Sequence, residues 1–142
     1  MKKSDLLIII PAYNEEENIE NVVNFIQENY SQYDYIVVND GSIDRTAEIC
    51  REKGYELLNL PVNLGLAGAF QTGLKYAYEK DYSFAIQFDA DGQHLPEFIE
   101  PMLKRIREGY DIVIGSRFVR KRKNNSLRMI GSKVLTVAIK MT

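Results

Sequence analysis

Short apolar runs alternate with segments of helical spacing along most of this chain, and that alternation constrains the fold more than any other feature. The runs cover residues 6–10, 35–38, 56–60, 82–88 and 111–114. Between them, apolar residues recur at intervals of three and four, which predicts helices. Strands that alternate with helices form βαβ units. We therefore predict an α/β fold: a single domain with a doubly wound, mainly parallel sheet and helices on both faces.

The helical segments are predicted from capping residues and apolar spacing. Asn14 is expected to cap the first helix, and later helices are expected at about residues 44–53, 66–78 and 98–106. A last helix is predicted over residues 127–141, where the apolar positions trace one face: Leu127, Ile130, Val134, Val137, Ala138 and Met141. We accordingly divide the chain into a core, residues 1–116, and a basic loop with an amphipathic helix, residues 117–142.

Charge separates these two parts. Residues 1–116 hold 10 Lys and Arg against 20 Asp and Glu, whereas residues 117–142 hold 8 Lys and Arg and no acid. The basic part is expected to face an anionic partner or an anionic membrane surface. No apolar run reaches the roughly 18 residues of a membrane span, and the single cysteine, Cys50, fits a reducing compartment. We expect a cytoplasmic protein, peripheral at the inner face of the cell membrane, with no nucleic-acid partner.

Polar motifs follow each predicted strand, at residues 11–15, 40–42, 63–65, 89–93 and 115–117. In open α/β sheets, ligands bind outside the carboxyl ends of the strands. These motifs are therefore expected to line one ligand crevice.

The motif after the fourth strand carries two carboxylates, Asp89 and Asp91, followed by Gly92. Alternate residues of a strand point the same way, so both carboxylates could bind one hard cation, with Gln93 adding an amide oxygen. Mg²⁺ or Mn²⁺ suits such oxygen ligands and keeps positions for substrate phosphates. The alternative is an Asp-Gly turn with solvated acids, but the shared location of the polar motifs favours a metal site.

Two common phosphate-binding motifs are missing from the sequence. There is no G-x-G-x-x-G after the first strand and no G-x-x-x-x-G-K-[ST], which disfavours a dinucleotide dehydrogenase and a P-loop NTPase. A calcium EF-hand is excluded because Gly92 occupies the fourth, not the sixth, position of the loop.

The motifs together resemble a known family. They are IIIPAYNEE at residues 8–16, VNDGSIDRT at residues 38–46, NLG at residues 63–65 and DADGQH at residues 89–94. Their order and spacing resemble the nucleotide-sugar half of the inverting glycosyltransferase family 2, which has a GT-A, Rossmann-like fold. The pattern is most similar to the dolichyl- or polyprenyl-phosphate sugar transferases, and it continues into GSRF at residues 115–118.

The resemblance implies a role for each motif in binding a nucleoside-diphosphate sugar, which we expect to be UDP-linked. The implied nucleotide-binding residues are Pro11, Ala12, Tyr13, Glu15, Asp40, Gly65, Asp89 and Ala90, with Asp40 accepting a hydrogen bond from the base. The implied ligands of the Mg²⁺ or Mn²⁺ are Asp89, Asp91 and Gln93, so that Asp91 would act in catalysis through the metal. Each residue taken singly also has an ordinary structural explanation. Pro11 could simply end a strand, the polar residues after it could cap a helix, and Asp40 could simply belong to a turn.

The implied reaction is a single displacement at the anomeric carbon with inversion. The general base that a hydroxyl acceptor needs would lie outside this chain, whereas an acceptor phosphate needs none. Arg117, Arg128 and Ser132 resemble positions that hold a polyprenyl phosphate acceptor, although a solvated basic surface is an equal interpretation. A donor-binding module without turnover and a nucleotidyltransferase remain as alternatives.

Overall fold

The computed structural model describes residues 4–90, 98–115 and 136–141. Within these ranges the chain forms six strands and four helices around one sheet. In chain order they are β1 (Leu6–Ala12), α1 (Ile19–Asn29), β2 (Asp34–Asn39), α2 (Thr46–Glu52), β3 (Leu57–Asn59), α3 (Gly65–Glu79), β4 (Phe84–Gln87), α4 (Ile99–Arg107), β5 (Ile112–Gly115) and β6 (Thr136–Lys140). The strands lie in the order β3-β2-β1-β4-β6-β5.

The sheet separates two apolar cores, because alternate residues of its central strand face opposite sides. Leu6, Ile8 and Ile10 of β1 pack with α1, α2 and α4 on one face. Leu7 and Ile9 pack with α3 on the other face. Helices therefore cover both faces, as the unbroken apolar run of β1 predicted.

Helix α3 lies close to β1 because small residues form its buried face. These residues are Ala69, Gly73 and Ala77, one turn apart. A Cβ added to Gly73 would lie only 2.4 Å from the side chain of Ile9. The close packing fixes the amino end of α3 over the carboxyl ends of β1 and β2.

The predicted mainly parallel sheet is confirmed, with a correction at its end. β1 pairs in parallel with β2 and β4, and β2 pairs in parallel with β3. The helix predicted over residues 127–141 is wrong in its last part, because residues 136–140 form β6. This strand lies antiparallel between β4 and β5, with Ala138 opposite both Ile86 and Val113.

The error has a physical cause. Val137, Ala138 and Met141 have the spacing of a helix face, but Thr136, Val137 and Ile139 are β-branched and suit a strand. Pairing with β4 and β5 buries Ala138 to 3% exposure, which a helix at this position would not achieve. Pairing with the edges of β4 and β5 thus decides the structure of this segment, against the local helical spacing of its apolar residues.

Two smaller features of the helices also bear on the predictions. Asn14 does not cap α1, which begins at Ile19; Asn14 instead has a positive φ of 56° and lies in the preceding turn. Cys50 is fully buried, and burial raises the pKa of its thiol to about 11. In the described part of the chain, no helix is long and apolar enough to cross a bilayer.

Candidate functional site

A cavity of about 510 Å³ opens at the carboxyl edge of the sheet, beside β1. The strand order reverses direction at β1, since β2 and β3 lie on one side and β4 on the other. Ligands of open α/β sheets bind at such a switch point. All eight of the predicted nucleotide-binding residues line this cavity, although they come from four separate segments of the chain. Their roles in binding a ligand stay a prediction.

The end of β1 and the turn after it form the first wall. Pro11 and Ala12 are buried, and Tyr13 is 45% exposed at the cavity. Glu15 lines the same wall, where its Oε2 accepts a hydrogen bond of 2.9 Å from Asn18 Nδ2. The backbone leaves the strand in this turn, because Asn14 adopts a left-handed conformation.

Asp40 is the buried acid of the cavity, with 2% of its surface exposed. Its N–H donates to the carbonyl of Ala12 (2.8 Å), so β2 and β1 remain paired to their ends. Its Oδ1 accepts a 2.7 Å hydrogen bond from the N–H of Leu64. Its Oδ2 accepts no hydrogen bond from any residue in the described ranges. One oxygen therefore holds the loop before α3, while the other has no hydrogen-bond donor among the described residues.

The amino end of α3 closes the cavity on another side. Gly65, which was predicted to bind the nucleotide, and Asn63, whose motif was expected at the crevice, line it there. Leu66 and Ala69 line it too, and they were not predicted. Asn63 Oδ1 accepts a 2.9 Å hydrogen bond from the N–H of Gly65, so it shapes the turn into the helix. The motif NLG was the only sequence signal for this wall.

Asp89 and Ala90 bring the end of β4 to the cavity. Gln87, which is 6% exposed, donates a 2.6 Å hydrogen bond from Nε2 to Asp89 Oδ1. Gln87 and Asp89 are two residues apart and therefore share a face of the strand. Sequence reasoning missed Gln87, although its position two residues before an acid was a usable signal.

The other predicted site residues, those of the metal site and of the acceptor site, lie outside the described residues. They are Asp91, Gln93, Arg117, Arg128 and Ser132. Within the ranges that are described, no group of three or more His, Cys, Asp or Glu side chains could hold a metal ion. Of the predicted metal ligands, Asp89 alone is therefore at the cavity in the described part of the structure. Arg45, from the same motif as Asp40, pairs with Glu48 (3.0 Å).

Comparison with known proteins identifies the family. The family model described as glycosyl transferase family 2 matches residues 7–138. The chain belongs to glycosyl transferase family 2. The matched range runs from Leu7 in β1 to Ala138 in β6 and contains every residue that lines the cavity.

Named relatives in family 2 act on lipid phosphates, according to their names. The chain is 39% identical over 130 residues to a UDP-N-acetylglucosamine–dolichyl-phosphate N-acetylglucosaminyltransferase from Methanococcus voltae, covering 79% of this chain and 51% of the relative. It is 34% identical over 119 residues to a polyprenol monophosphomannose synthase from Mycolicibacterium smegmatis, covering 80% and 45%. The chain spans about half the length of the curated relatives it matches.

The fold is that of GT-A glycosyltransferases. A solved family structure, a mannosyltransferase from Pyrobaculum calidifontis in complex with GDP-mannose and Mn²⁺, superposes with a TM-score of 0.55 at 26% identity. The superposition covers 64% of this chain and 28% of that one. The predicted family and fold are thus confirmed.

Proposed function

We propose that this family 2 domain binds a nucleoside-diphosphate sugar, UDP-linked, and presents the sugar for inverting transfer to a polyprenyl phosphate. The proposal rests on one observation: residues at the ends of β1, β2 and β4 and at the start of α3 line the same cavity. One ligand that fills it would contact every predicted nucleotide-binding residue. The names of the relatives support the donor and acceptor classes.

Asp40 is the residue that we assign to the base. Its Oδ2 is buried in the cavity wall and accepts no hydrogen bond from the described residues, whereas Oδ1 is held by Leu64. A buried carboxylate oxygen without a donor costs free energy that a ligand N–H recovers. The imide N–H of uracil supplies such a donor.

Tyr13 and Glu15 are assigned to the remainder of the nucleoside. The half-exposed ring of Tyr13 gives a flat apolar surface at the cavity, and aromatic rings stack on bases. Glu15 keeps one carboxylate oxygen on Asn18, which fixes its side chain beside Tyr13. Its other oxygen can accept a hydrogen bond from a ribose hydroxyl.

Asp89 is the described residue that would hold a divalent cation. A carboxylate at the cavity, fixed by Gln87 on one oxygen, is the oxygen ligand that Mg²⁺ and Mn²⁺ prefer. Asp91 and Gln93 complete the proposed ligand set. When bound, the cation neutralises negative charge on the diphosphate of the donor and of the leaving group.

The chemistry that we propose is one displacement at the anomeric carbon. An oxygen of the acceptor phosphate forms a bond to that carbon while the bond to the nucleoside diphosphate breaks, so the configuration inverts. A phosphate oxygen is already ionised near neutral pH, and no general base is required. Arg117, Arg128 and Ser132 are the residues proposed to hold the acceptor phosphate.

A lipid acceptor requires the domain to work at a membrane surface. The basic residues of the segment 117–135 would supply attraction to anionic lipid, at about 1 kcal/mol each near the surface. We therefore propose peripheral association with the inner face of the cell membrane. Flotation of the chain with anionic and neutral vesicles, at low and high salt, tests this part. Binding that is equal for both vesicle types, or absent from both, contradicts it.

Calorimetry with UDP, GDP and their sugars in the presence of Mn²⁺ tests the donor assignment. We expect UDP ligands to bind and GDP ligands to bind more weakly. Release of UDP on addition of polyprenyl phosphate would show turnover, whereas binding without release would favour a donor-binding module. The absence of binding to any of these nucleotides would refute the proposed function.

A further inference from the structure

Two loops at the cavity edge are joined by hydrogen bonds that run in both directions. One loop follows β1 (residues 13–18), and the other follows β2 and ends at the first residue of α2 (residues 40–46). We call the hydrogen bonds between them the inter-loop network. It consists of Asn14 N–H to Ser42 Oγ (3.0 Å), Ile43 N–H to Asn14 Oδ1 (3.0 Å), Glu15 N–H to Thr46 Oγ1 (2.8 Å), Glu16 N–H to Asp44 Oδ2 (3.1 Å) and Arg45 N–H to Glu16 Oε2 (3.1 Å).

Thr46 is the buried centre of this network, with no exposed surface. Its hydroxyl accepts the N–H of Glu15 and donates to Asp44 Oδ1 at 2.6 Å. Asp44 Oδ1 also accepts the N–H of Thr46 at 2.9 Å. The Thr46 hydroxyl thus connects the two loops through the bond it accepts, while the bond it donates ties it to Asp44 in its own segment.

Asp44 is held as a carboxylate by the same contacts. Partial burial alone would raise the pKa of Asp44, but the hydrogen bonds donated by the Thr46 hydroxyl and by the N–H groups of Thr46 and Glu16 together hold this pKa below its ordinary value. Hydrogen bonds to a charged acceptor are stronger than those between neutral groups. The charged form is therefore the one that keeps Glu16 and Thr46 in place.

The turn that the network holds has no regular secondary structure of its own. Asn14 has a positive φ, and the residues between β1 and α1 form turns. Tyr13 and Glu15, on the two sides of Asn14, line the cavity. Fixing their backbone before a ligand arrives avoids the entropy cost of ordering the turn on binding.

We propose that Thr46 and Asp44 are positioning residues for the nucleotide: they contact no ligand, but they set the turn that carries Tyr13 and Glu15. This inference rests on the proposed function, since it assumes that the cavity binds a nucleoside diphosphate. It assigns to the second half of the VNDGSIDRT motif a task that is separate from base recognition by Asp40.

The test compares two substitutions at one residue. Thr46→Val keeps the shape of the side chain but removes the hydroxyl, whereas Thr46→Ser keeps the hydroxyl. We expect Thr46→Val to raise the Kd for UDP about tenfold, by the same factor with Mn²⁺ and with EDTA, because the nucleoside side of the cavity is affected. Thr46→Ser should stay within about twofold of the wild type.

Tyr55→Phe is the matched control for stability. The Tyr55 hydroxyl donates to Asn24 Oδ1 at 2.9 Å and joins the α1 and α2 segments away from the cavity. This variant should lower Tm, as Thr46→Val does, and leave the Kd for UDP unchanged. If Tyr55→Phe loses as much affinity for UDP as Thr46→Val, lower stability alone explains the loss in Thr46→Val. That outcome would overturn the proposal.

The remaining outcomes are also decisive. If Thr46→Val does not fold, Asp44→Asn replaces it: this variant loses the acceptor for Glu16 N–H, and we expect about a threefold rise in Kd. A folded variant that binds UDP like the wild type refutes the positioning role but leaves the proposed function intact. If the wild type itself binds no nucleotide, the proposed function fails, and this inference fails with it.

Discussion

The two halves of the cavity are built in different ways. On the β2 side, which we call the nucleoside half, Glu15 and Asp40 are fixed by hydrogen bonds to neighbouring segments. Tyr13, which belongs to the same half, precedes Asn14, which is hydrogen-bonded to the segment after β2. On the β4 side, the diphosphate half, Asp89 brings a carboxylate to the place proposed for phosphates. Under the proposed function, the nucleoside half would bind its ligand with groups of this chain alone. The diphosphate half would repel its ligand unless a cation lies between them.

The difference between the two halves predicts in which of them ligand binding should depend on a metal ion. Two like charges about 4 Å apart near a protein surface repel by roughly 4 kcal/mol. A substitution in the nucleoside half should therefore weaken binding by the same factor with and without metal, whereas one in the diphosphate half should weaken binding only when metal is present. The predictions below use this contrast.

Removal of the divalent cation should have the largest effect. With EDTA in place of Mn²⁺, we expect the Kd for UDP to rise on the order of 100-fold, or about 2.7 kcal/mol, because Asp89 and Asp91 then face the diphosphate directly. Asp89→Ala should lose most of the Mn²⁺-dependent affinity. Calorimetry measures both, with the exposed Glu28→Gln as the control acid. Equal affinity with Mn²⁺ and EDTA would contradict the metal assignment and leave the fold unaffected.

Asp40→Asn should weaken UDP binding about ten- to a hundredfold, since a hydrogen bond to a charged group is worth roughly 1.5 to 3 kcal/mol. The asparagine can keep the Oδ1 contact with Leu64 N–H, so the loop before α3 should stay in place. The same factor is expected with Mn²⁺ and with EDTA, by calorimetry. A folded variant with wild-type affinity would reduce Asp40 to a loop-holding residue.

Gly41→Ala should weaken binding about tenfold, and Gly54→Ala is its matched control. Both glycines have the same left-handed backbone, with φ of 66° and 67°. A Cβ at Gly41 would lie 2.6 Å from the backbone carbon of Val62, whereas one at Gly54 has no neighbour within 4 Å. The first substitution must displace the loop that Asp40 holds, while the second costs only the left-handed conformation, about 1 to 2 kcal/mol.

Thermal unfolding and the Kd for UDP separate the two glycine variants. Both variants should unfold at lower temperature, with the larger fall in Gly41→Ala. Gly41→Ala alone should lose affinity for UDP. If Gly54→Ala loses as much affinity, the loop before α3 is not what shapes the nucleoside half.

Much of the fold was predictable because β1, β2 and β4 carry apolar runs that are largely buried. Ile8, Ile9 and Ile10 are fully buried, as an unbroken apolar run in a central strand predicts. β6 was not predictable in the same way, because the apolar residues from Val134 to Met141 fit a helix face and a strand equally well. The neighbouring edges of β4 and β5, which decide between them, are distant in the sequence.

The candidate site was predictable to a similar degree and for a similar reason. The polar residues after each strand could be assigned to one edge because parallel strands end together. The contacts that hold these residues could not be assigned, since Thr46 and Glu15 are 31 positions apart. Whether Thr46 caps a helix or reaches another loop depends on the angle at which the loops leave the sheet, which residue spacing does not specify.

Gln87 gives the smallest expected effect and the sharpest test of the difference between the halves. Its amide fixes one oxygen of Asp89, and partners of this kind usually change metal affinity roughly 10- to 100-fold. Asp89 has further contacts, so for Gln87→Leu we expect only about a three- to tenfold rise in the Kd for UDP with Mn²⁺.

With EDTA the Gln87→Leu variant should match the wild type in its Kd for UDP. Because leucine is similar in size to glutamine and its apolar side chain suits a buried position, Tm should change little, and titration of Mn²⁺ alone should show the weaker metal binding directly. A loss of the same size with EDTA would mean that Gln87 shapes the cavity as a whole, and the separation of the two halves would then be wrong at β4.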